Sequence, residues 1–255
     1  MKITFLGTGT SQGVPVIACN CEVCTSTDAR DNRLRTSIMI EDKSKVIVVD
    51  SGPDFRQQML RAHVQRLDAI VFTHEHKDHI AGLDDIRAFN YRQKGPVDVY
   101  GDLRVQAALK REFYYIFEEF KYPGIPQLNL HTIGSEPFNI GHITFTPIEV
   151  LHYKLPVLGF RINDFTYITD AKIISAEETD KIRGSKILVI NALQKESHIS
   201  HFTLDEAVAF AQEIGAEKTY LTHISHRLGL HSDIAKELPR GIELAYDGLQ
   251  LNMAD

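Results

Sequence analysis

Apolar residues recur along this chain in short runs separated by polar and glycine-bearing stretches, a spacing that suits strands better than long helices. Runs at residues 3–6, 36–40, 46–49, 69–72, 97–100, 143–147, 159–162, 166–168, 187–190 and 219–222 are strand-sized and rich in Val, Ile, Thr and aromatic residues. Between them, apolar positions at helical spacing predict helices over 55–62, 104–117, 175–182 and 203–214. The last opens at Thr203 with Glu206 three residues on, the sequence of a capping box. Turn-forming pairs at 139–142, at Asn163-Asp164 and at Asp247-Gly248 predict hairpins, so the sheets are expected to be antiparallel or mixed rather than doubly wound and parallel. No internal repeat or low-complexity tract breaks the pattern. Residues 122–127, with Pro123, Gly124 and Pro126, read as a loop and not as a boundary, and a single domain over 1–255 is expected.

Composition narrows the classes. With 43% hydrophobic and 24% charged residues the chain can bury a core, which excludes a disordered or coiled-coil protein. Lys plus Arg number 28 against 34 Asp plus Glu, a net charge of -6, so the basic excess of a large nucleic-acid partner is missing. No apolar stretch approaches the roughly 18 residues that span a bilayer, and residues 1–13 lack the charged and apolar regions of a signal peptide. A cytoplasmic location without a membrane partner is expected. The three cysteines, Cys19, Cys21 and Cys24, are odd in number and close together, which suits a metal claw better than a disulfide framework.

The chemistry concentrates after the apolar run 69–72, in Thr73-His74-Glu75-His76-Lys77-Asp78-His79. A strand end delivers His74, His76, Asp78 and His79 into a loop, where they can converge without burial inside the sheet. His74 and His76, two apart, can point the same way, while Asp78 and His79 offer a second set as the chain turns toward a helix. Two metal ions fit that arrangement better than one. The opening Leu6-Gly7-Thr8-Gly9-Thr10-Ser11 lacks the spacing of a phosphate loop or dinucleotide fingerprint, so its glycines are read as permitting a close turn and no nucleotide cofactor is indicated.

His-x-His-x-Asp-His after a buried strand resembles the signature of the metallo-β-lactamase superfamily. His152, Asp170 and His223 each follow a strand-like run, in the order in which that superfamily supplies its remaining ligands. The resemblance implies an α/β fold, a four-layer αβ/βα sandwich of two mixed sheets flanked by helices, with its site at one edge of the sheets. It also implies that His74, His76 and His152 hold one metal and Asp78, His79 and His223 the other, with Asp170 bridging. Asp50, after an early strand, has two readings: it orients a ligating histidine, or it caps the helix that follows. Zn is the first expectation for the two divalent metals, and Mn also suits such ligands.

Within the superfamily the chain is similar to the ribonuclease Z and cyclic-phosphate phosphodiesterase branch. Phe5-Leu6-Gly7-Thr8-Gly9-Thr10-Ser11, Ser200-His201-Phe202-Thr203 and Leu221-Thr222-His223-Ile224-Ser225-His226 carry that likeness. It places His201 beside the metals as general acid, with His198 as a rival, and gives Asp78 a double role as ligand and water-orienter. Cys19, Cys21, Cys24 and His226 resemble the structural zinc site of the phosphodiesterase of the carbon-phosphorus lyase pathway. The function implied is hydrolysis of a small phosphodiester, such as a cyclic ribose phosphate, by metal-bound hydroxide. A nuclease of the ribonuclease Z type and a thioester or lactone hydrolase stand as alternatives, and a homodimer is compatible. His63, His131, His142 and His231 match no ligand position, and the segment 84–91 with Arg87 is read as a salt-bridged helix surface.

Overall fold

The structure is a computed structural model that describes residues 1–43, 45–120 and 122–253. Its packing divides the chain into two compact units: Met1–Leu6 with Ser37–Gly134 and Gly248–Asp255, and Gly7–Thr36 with Ser135–Asp247. Among the described residues no helix is long and apolar enough to cross a membrane.

The first unit is built on β1 (Lys2–Gly7), β2 (Ser37–Asp42), β3 (Lys45–Val49), β4 (Ala69–Val71), β5 (Val97–Gly101) and β6 (Leu128–Thr132), which pair in that order. β2 and β3 are antiparallel, whereas β3 to β6 run parallel. Val48, Val49, Ile70 and Val71 are fully buried, as the unbroken apolar runs of strands covered on both faces require, while β5 alternates, burying Val97 and Val99 and leaving Asp98 and Tyr100 half-buried. Helix α1 (Phe55–Arg61), the short α2 (Lys77–Ile80), α3 (Arg87–Gln93) and α4 (Leu103–Glu112) contribute Phe55, Met59, Ile80, Phe89, Val105 and Leu109 to the core. The predicted helix 104–117 is broken. Phe113 leaves helical geometry at φ -121°, ψ 41°, and a separate turn, α5 (Tyr114–Phe117), follows. Phe113 and Ile116 both enter the core, so burial of the Phe113 ring prevails over helix propensity there.

The second unit carries β7 (Phe138–Ile140), β8 (Ile143–His152), β9 (Leu155–Ile162), β10 (Phe165–Tyr167), β11 (Ile173–Ile174), β12 (Ile187–Asn191), β13 (Lys218–Thr222) and β14 (Ile242–Leu244), with helices α6 (Ala176–Ile182), α7 (Leu204–Ile214) and α8 (His231–Glu237). Its sheet runs β11-β8-β9-β10-β12-β13-β14, with β7 also on β8. β7 to β10 form successive antiparallel hairpins, and β10, β12, β13 and β14 are parallel. The mixed character read from the turns is therefore observed in both sheets. The capping box at Thr203 and Glu206 forms as expected, with both reciprocal bonds present.

β8 extends past Pro147, where the sequence reading ended it. Pro147 lies between the residues that pair with β7 and those that pair with β11, so its missing N–H interrupts neither ladder. Asp247-Gly248 closes no hairpin: β14 belongs to the second sheet, whereas β15 (Gln250–Asn252) pairs with β1 in the first.

Candidate functional site

In the first unit the chemistry leaves the carboxyl ends of two adjacent parallel strands, where an α/β sheet places its loops outside the hydrogen-bonded ladder. Val49 of β3 stands opposite Val71 of β4, so Asp50 and the 73–79 segment emerge side by side. Asp50 is fully buried and has φ +64°, and its N–H donates to the Val71 carbonyl at 3.0 Å. Its carboxylate accepts from the Thr73 N–H at 2.8 Å, the Thr73 hydroxyl at 2.8 Å and His79 Nδ1 at 2.7 Å. Of the two readings of Asp50, the carboxylate takes the first: it bonds the histidine segment and not the start of α1.

These bonds set the histidine tautomers. His79 gives its Nδ1 proton to Asp50, which leaves Nε2 with a lone pair. Thr73 has spent its own proton on Asp50, so its oxygen accepts from His74 Nδ1 at 3.0 Å, and the His74 Nε2 is likewise a donor atom for a metal. The His74 ring lies 4.5 Å from that of His76 and 4.1 Å from that of His79, and Asp78 Oδ2 is 3.2 Å from His79 Nε2. The four residues of the motif thus lie close together beside Asp50. Burial pushes the Asp50 carboxyl above its ordinary range, while His79 and the Thr73 donors pull it back toward the ionised form.

The second unit repeats the arrangement. Asp170 follows β10, Asn191 ends β12 ahead of the segment to His201, and His223 follows β13, again at the ends of parallel strands; His152 closes β8. Asp170 and His223 have φ +59° and +55°, an uncommon conformation that Asp and His tolerate better than most residues. Asn191 helps to fix the backbone beside Asp170, accepting from Ala171 N at 2.7 Å and donating to Ala171 O at 3.0 Å. His152 Nδ1 lies 2.9 Å from the Ser200 carbonyl, which can only accept, so His152 presents Nε2 as its ligand atom.

His201 Nε2 is 3.1 Å from Asp170 Oδ1, and its ring is 4.5 Å from that of His152 and 4.9 Å from that of His223. Side-chain donor atoms of His152, Asp170 and His201 lie within 4.8 Å of one another, so His201 stands beside these two residues and not on a distant cap. His198 is also drawn in, with Nδ1 3.2 Å from His201 Nδ1; burial lowers its pKa, followed by the charges of His201, His152, Lys172 and Arg227. Thr10 Oγ1 reaches His223 Nε2 at 3.3 Å, which explains the glycine-flanked opening. Gly9 bridges to Arg35 and Ile224, and a Cβ there would sit 2.8 Å from the Arg33 carbonyl.

The cysteine claw assembles within the same unit. Cys19, Cys21 and Cys24 Sγ lie 3.3, 3.4 and 3.5 Å from His226 Nδ1. In a zinc tetrahedron with bonds of about 2.3 Å to sulfur and about 2.0 Å to nitrogen, such edges come to about 3.5 Å, so the donor set fits one zinc ion. The Cys24 N–H lowers the Cys21 thiol to about 6, toward the thiolate that binds metal, whereas burial pushes Cys24 up to about 11. The rest of this N-terminal segment is fixed without metal: Arg33 donates to Thr8 Oγ1 at 2.8 Å, to the Ala245 carbonyl at 2.6 Å and to His231 Nδ1 at 3.1 Å.

Sequence reasoning missed Thr73 and the Ser200 carbonyl, which bond His74 and His152, and Asn191, which bonds the backbone of Ala171 next to Asp170. Asn191, an amide closing an otherwise apolar strand, is the one signal of the three that stands in the sequence.

Two mixed sheets whose parallel strands end in clustered histidines and carboxylates define an α/β protein with donor sets suited to metal ions. The profile of the Beta-lactamase superfamily domain matches residues 45–224, and the chain belongs to that superfamily. Among solved structures it is similar to a diphosphatase from the PhnP family, with 39% identity and a TM-score of 0.93 over 99% of this chain and 98% of that one. Among curated proteins it is 39% identical over 253 residues to an octanoyltransferase of Porphyromonas gingivalis, covering 98% of this chain and 51% of that protein. It is 27% identical over 169 residues to a ribonuclease Z of Nostoc sp., covering 64% of this chain and 46% of that protein. The chain thus spans about half the length of these curated relatives.

Proposed function

We propose that the protein is a dinuclear metal-dependent phosphodiesterase acting on small phosphodiesters, cyclic ribose phosphates among them, with a separate structural zinc. The observation that carries this reading is the position of His201. A histidine outside the ligand motif, on the segment before α7, shares its immediate surroundings with His152 and Asp170, as a general acid beside a metal requires. The whole-chain likeness to a PhnP-family diphosphatase supports phosphorus chemistry.

In this reading His74, His76 and His152 hold one divalent ion, Asp78, His79 and His223 the other, and Asp170 both. Zn is the first choice and Mn the second. Bound there, the ions supply positive charge to the phosphoryl oxygens and activate water. Asp50 keeps His79 and, through Thr73, His74 in the tautomers that ligate. Asp78 orients water as well as ligating. His201, beside Asp170, would serve as the general acid for the leaving oxygen.

The ribonuclease Z reading has the Nostoc relative in its favour, but with a net charge of -6 the chain lacks the overall basic excess that favours a long RNA. Acyl transfer through a thiol is disfavoured because all three cysteines are drawn into the His226 group, leaving none at the His152 and Asp170 cluster. A substrate panel tests the proposal. The purified protein is expected to hydrolyse bis-p-nitrophenyl phosphate and to leave thioester and β-lactam substrates untouched; the reverse pattern contradicts it.

The structural zinc has its own test. Cys21→Ser or His226→Ala is expected to lower zinc by about one equivalent and to expose the segment around Cys19 to Cys24 to protease, because thiolate–zinc binding orders a loop with little apolar content. The Arg33 bonds keep the remainder of the segment in place, so activity falls only in part. An unchanged metal content in both variants would remove the site.

A further inference from the structure

Arg33 is 3% exposed and stands at the centre of a buried polar chain within the second unit. Its Nη1 donates to the Thr8 hydroxyl at 2.8 Å and to the Ala245 carbonyl at 2.6 Å, and its Nη2 donates to His231 Nδ1 at 3.1 Å. Among the described residues none of its bonds goes to a carboxylate. Burial pushes its pKa down to about 10, against the pull of Asp247 and Asp31, so the guanidinium is still charged at neutral pH. A buried cation needs its charge balanced, and Thr8 carries that balance one bond further: the same hydroxyl donates to Asp247 Oδ1 at 2.8 Å. Asp247 Oδ2 accepts from the Leu34 N–H at 2.9 Å. The Thr8 oxygen, fully buried, thus accepts from a cation and donates to an anion, which leaves its proton one direction.

The backbone on either side of that hydroxyl leads to a candidate ligand. The Thr8 carbonyl accepts from the Ile224 N–H at 2.9 Å, and the Thr10 N–H donates to the Ile224 carbonyl at 3.1 Å. These two bonds clasp the residue that follows His223 and so fix the backbone from which its ring projects at φ +55°. Thr10 Oγ1 also lies 3.3 Å from His223 Nε2. On its other side the same short stretch is held by the Gly9 N–H, which donates to the Leu34 carbonyl at 2.8 Å. Residues 8–10 therefore lie between the Arg33-Leu34 segment and Ile224, and the Thr8 side chain is the one that ties them to the buried charges.

We propose that Thr8 is a positioning residue for His223: its hydroxyl, locked between Arg33 and Asp247, holds residues 8–10 in the place that presents the His223 imidazole to a metal ion. This assignment rests on the dinuclear reading above and adds to it a residue from outside the ligand set. Backbone bonds alone tolerate small slides and tilts, whereas a hydroxyl fixed by a charged donor and a charged acceptor has one orientation. Metal ligands depend on such supporting bonds, and losing one typically costs roughly 10- to 100-fold in metal affinity. The assignment also gives His231 a purpose: it matched no ligand position, and it serves as a neutral acceptor for the cation that holds Thr8.

The test is Mn binding by equilibrium dialysis, because Mn suits carboxylate-rich sites and leaves the thiolates of Cys19, Cys21 and Cys24 to softer ions. Thr8→Val keeps the shape of the side chain and removes the hydroxyl; affinity for one of the two Mn ions is expected to fall by roughly 10- to 100-fold while the other is held as in the wild type. Thr8→Ser returns the hydroxyl and is expected to restore binding. Thr8→Val leaves buried partners unsatisfied and can cost folding, so Asp247→Asn is measured beside it. That variant keeps an acceptor for Thr8 but removes the charge, and it is expected to weaken the same Mn ion several-fold with a melting temperature close to the wild type. Ile182→Val, in the core under α6, is expected to lower the melting temperature and leave Mn binding unchanged. Folded Thr8→Val and Asp247→Asn proteins that both bind Mn as the wild type does overturn the assignment, as does an Ile182→Val protein that loses Mn to the same degree. A wild type that binds Mn but hydrolyses no phosphodiester removes the phosphodiesterase reading alone, since dialysis still reads the effect of Thr8.

Discussion

Asp170→Asn is expected to lower phosphodiester turnover by on the order of 10³-fold or more, about 4 kcal/mol of transition-state stabilisation, while the protein stays folded. The Asp170 carboxylate accepts from the Thr169 hydroxyl at 2.5 Å, lies 3.1 Å from His201 Nε2 and has its other oxygen 3.3 Å from His223 Nδ1. An amide preserves that shape but removes the charge needed to serve two cations and to hold a protonated histidine. Asparagine is the appropriate replacement because φ at this position is +59°, which asparagine adopts readily and alanine does not. The check is kcat/KM on bis-p-nitrophenyl phosphate, alongside melting temperature and metal content. A folded Asp170→Asn protein with full activity would exclude a bridging role for this residue.

His201→Ala is expected to reduce kcat by roughly 10²- to 10⁴-fold, the usual contribution of a positioned general acid. The effect should depend on the substrate in a particular way. A p-nitrophenolate leaves without help, so the deficit should shrink on p-nitrophenyl esters and be largest on esters with alkoxide leaving groups. Equal losses on both would mean that His201 positions the substrate and does not transfer a proton. Because His201 also touches His152 and Asp170, metal content must be measured in the variant; retention of about the wild-type amount is expected.

Much of the candidate site was legible because its residues are packed into one short motif and into strand-terminal positions. His74 to His79 could be read together since a strand end followed by a helix start brings them together locally. Asp170 and His223 stand alone in sequence, and only their order after strand-like runs pointed to them. Their left-handed backbone was not legible, because nothing in the residues asks for it; it is imposed by bonds from residues far along the chain, such as Asn191 to Ala171. Thr73 and Ser200 escaped for a related reason. One acts through a hydroxyl and the other through a backbone carbonyl, groups too common for sequence to single out.

The fold shows the same division. Largely buried inner strands such as 46–49 and 187–190 announced themselves as continuous apolar runs, whereas edge strands did not. β6 has only half-buried and exposed positions with no fully buried one, and β11 is only two residues long, so neither rises above the background of polar loops. Pro147 misled the reading of β8 because its tolerance depends on which neighbours pair on either side of it, a matter of topology. Phe113 ended a helix for the sake of tertiary burial, which helical spacing alone does not reveal.

The most direct measurement of the central claim is the rate of bis-p-nitrophenyl phosphate hydrolysis by chelator-treated protein as Zn or Mn is returned in known equivalents. With zinc, the thiolates of Cys19, Cys21 and Cys24 are expected to take about the first equivalent without activity, and the rate then to climb to a plateau at about three in total. Cys21→Ser should reach its plateau about one equivalent sooner. Full activity in the metal-stripped protein, or a plateau reached with a single active-site equivalent, would contradict a dinuclear phosphodiesterase.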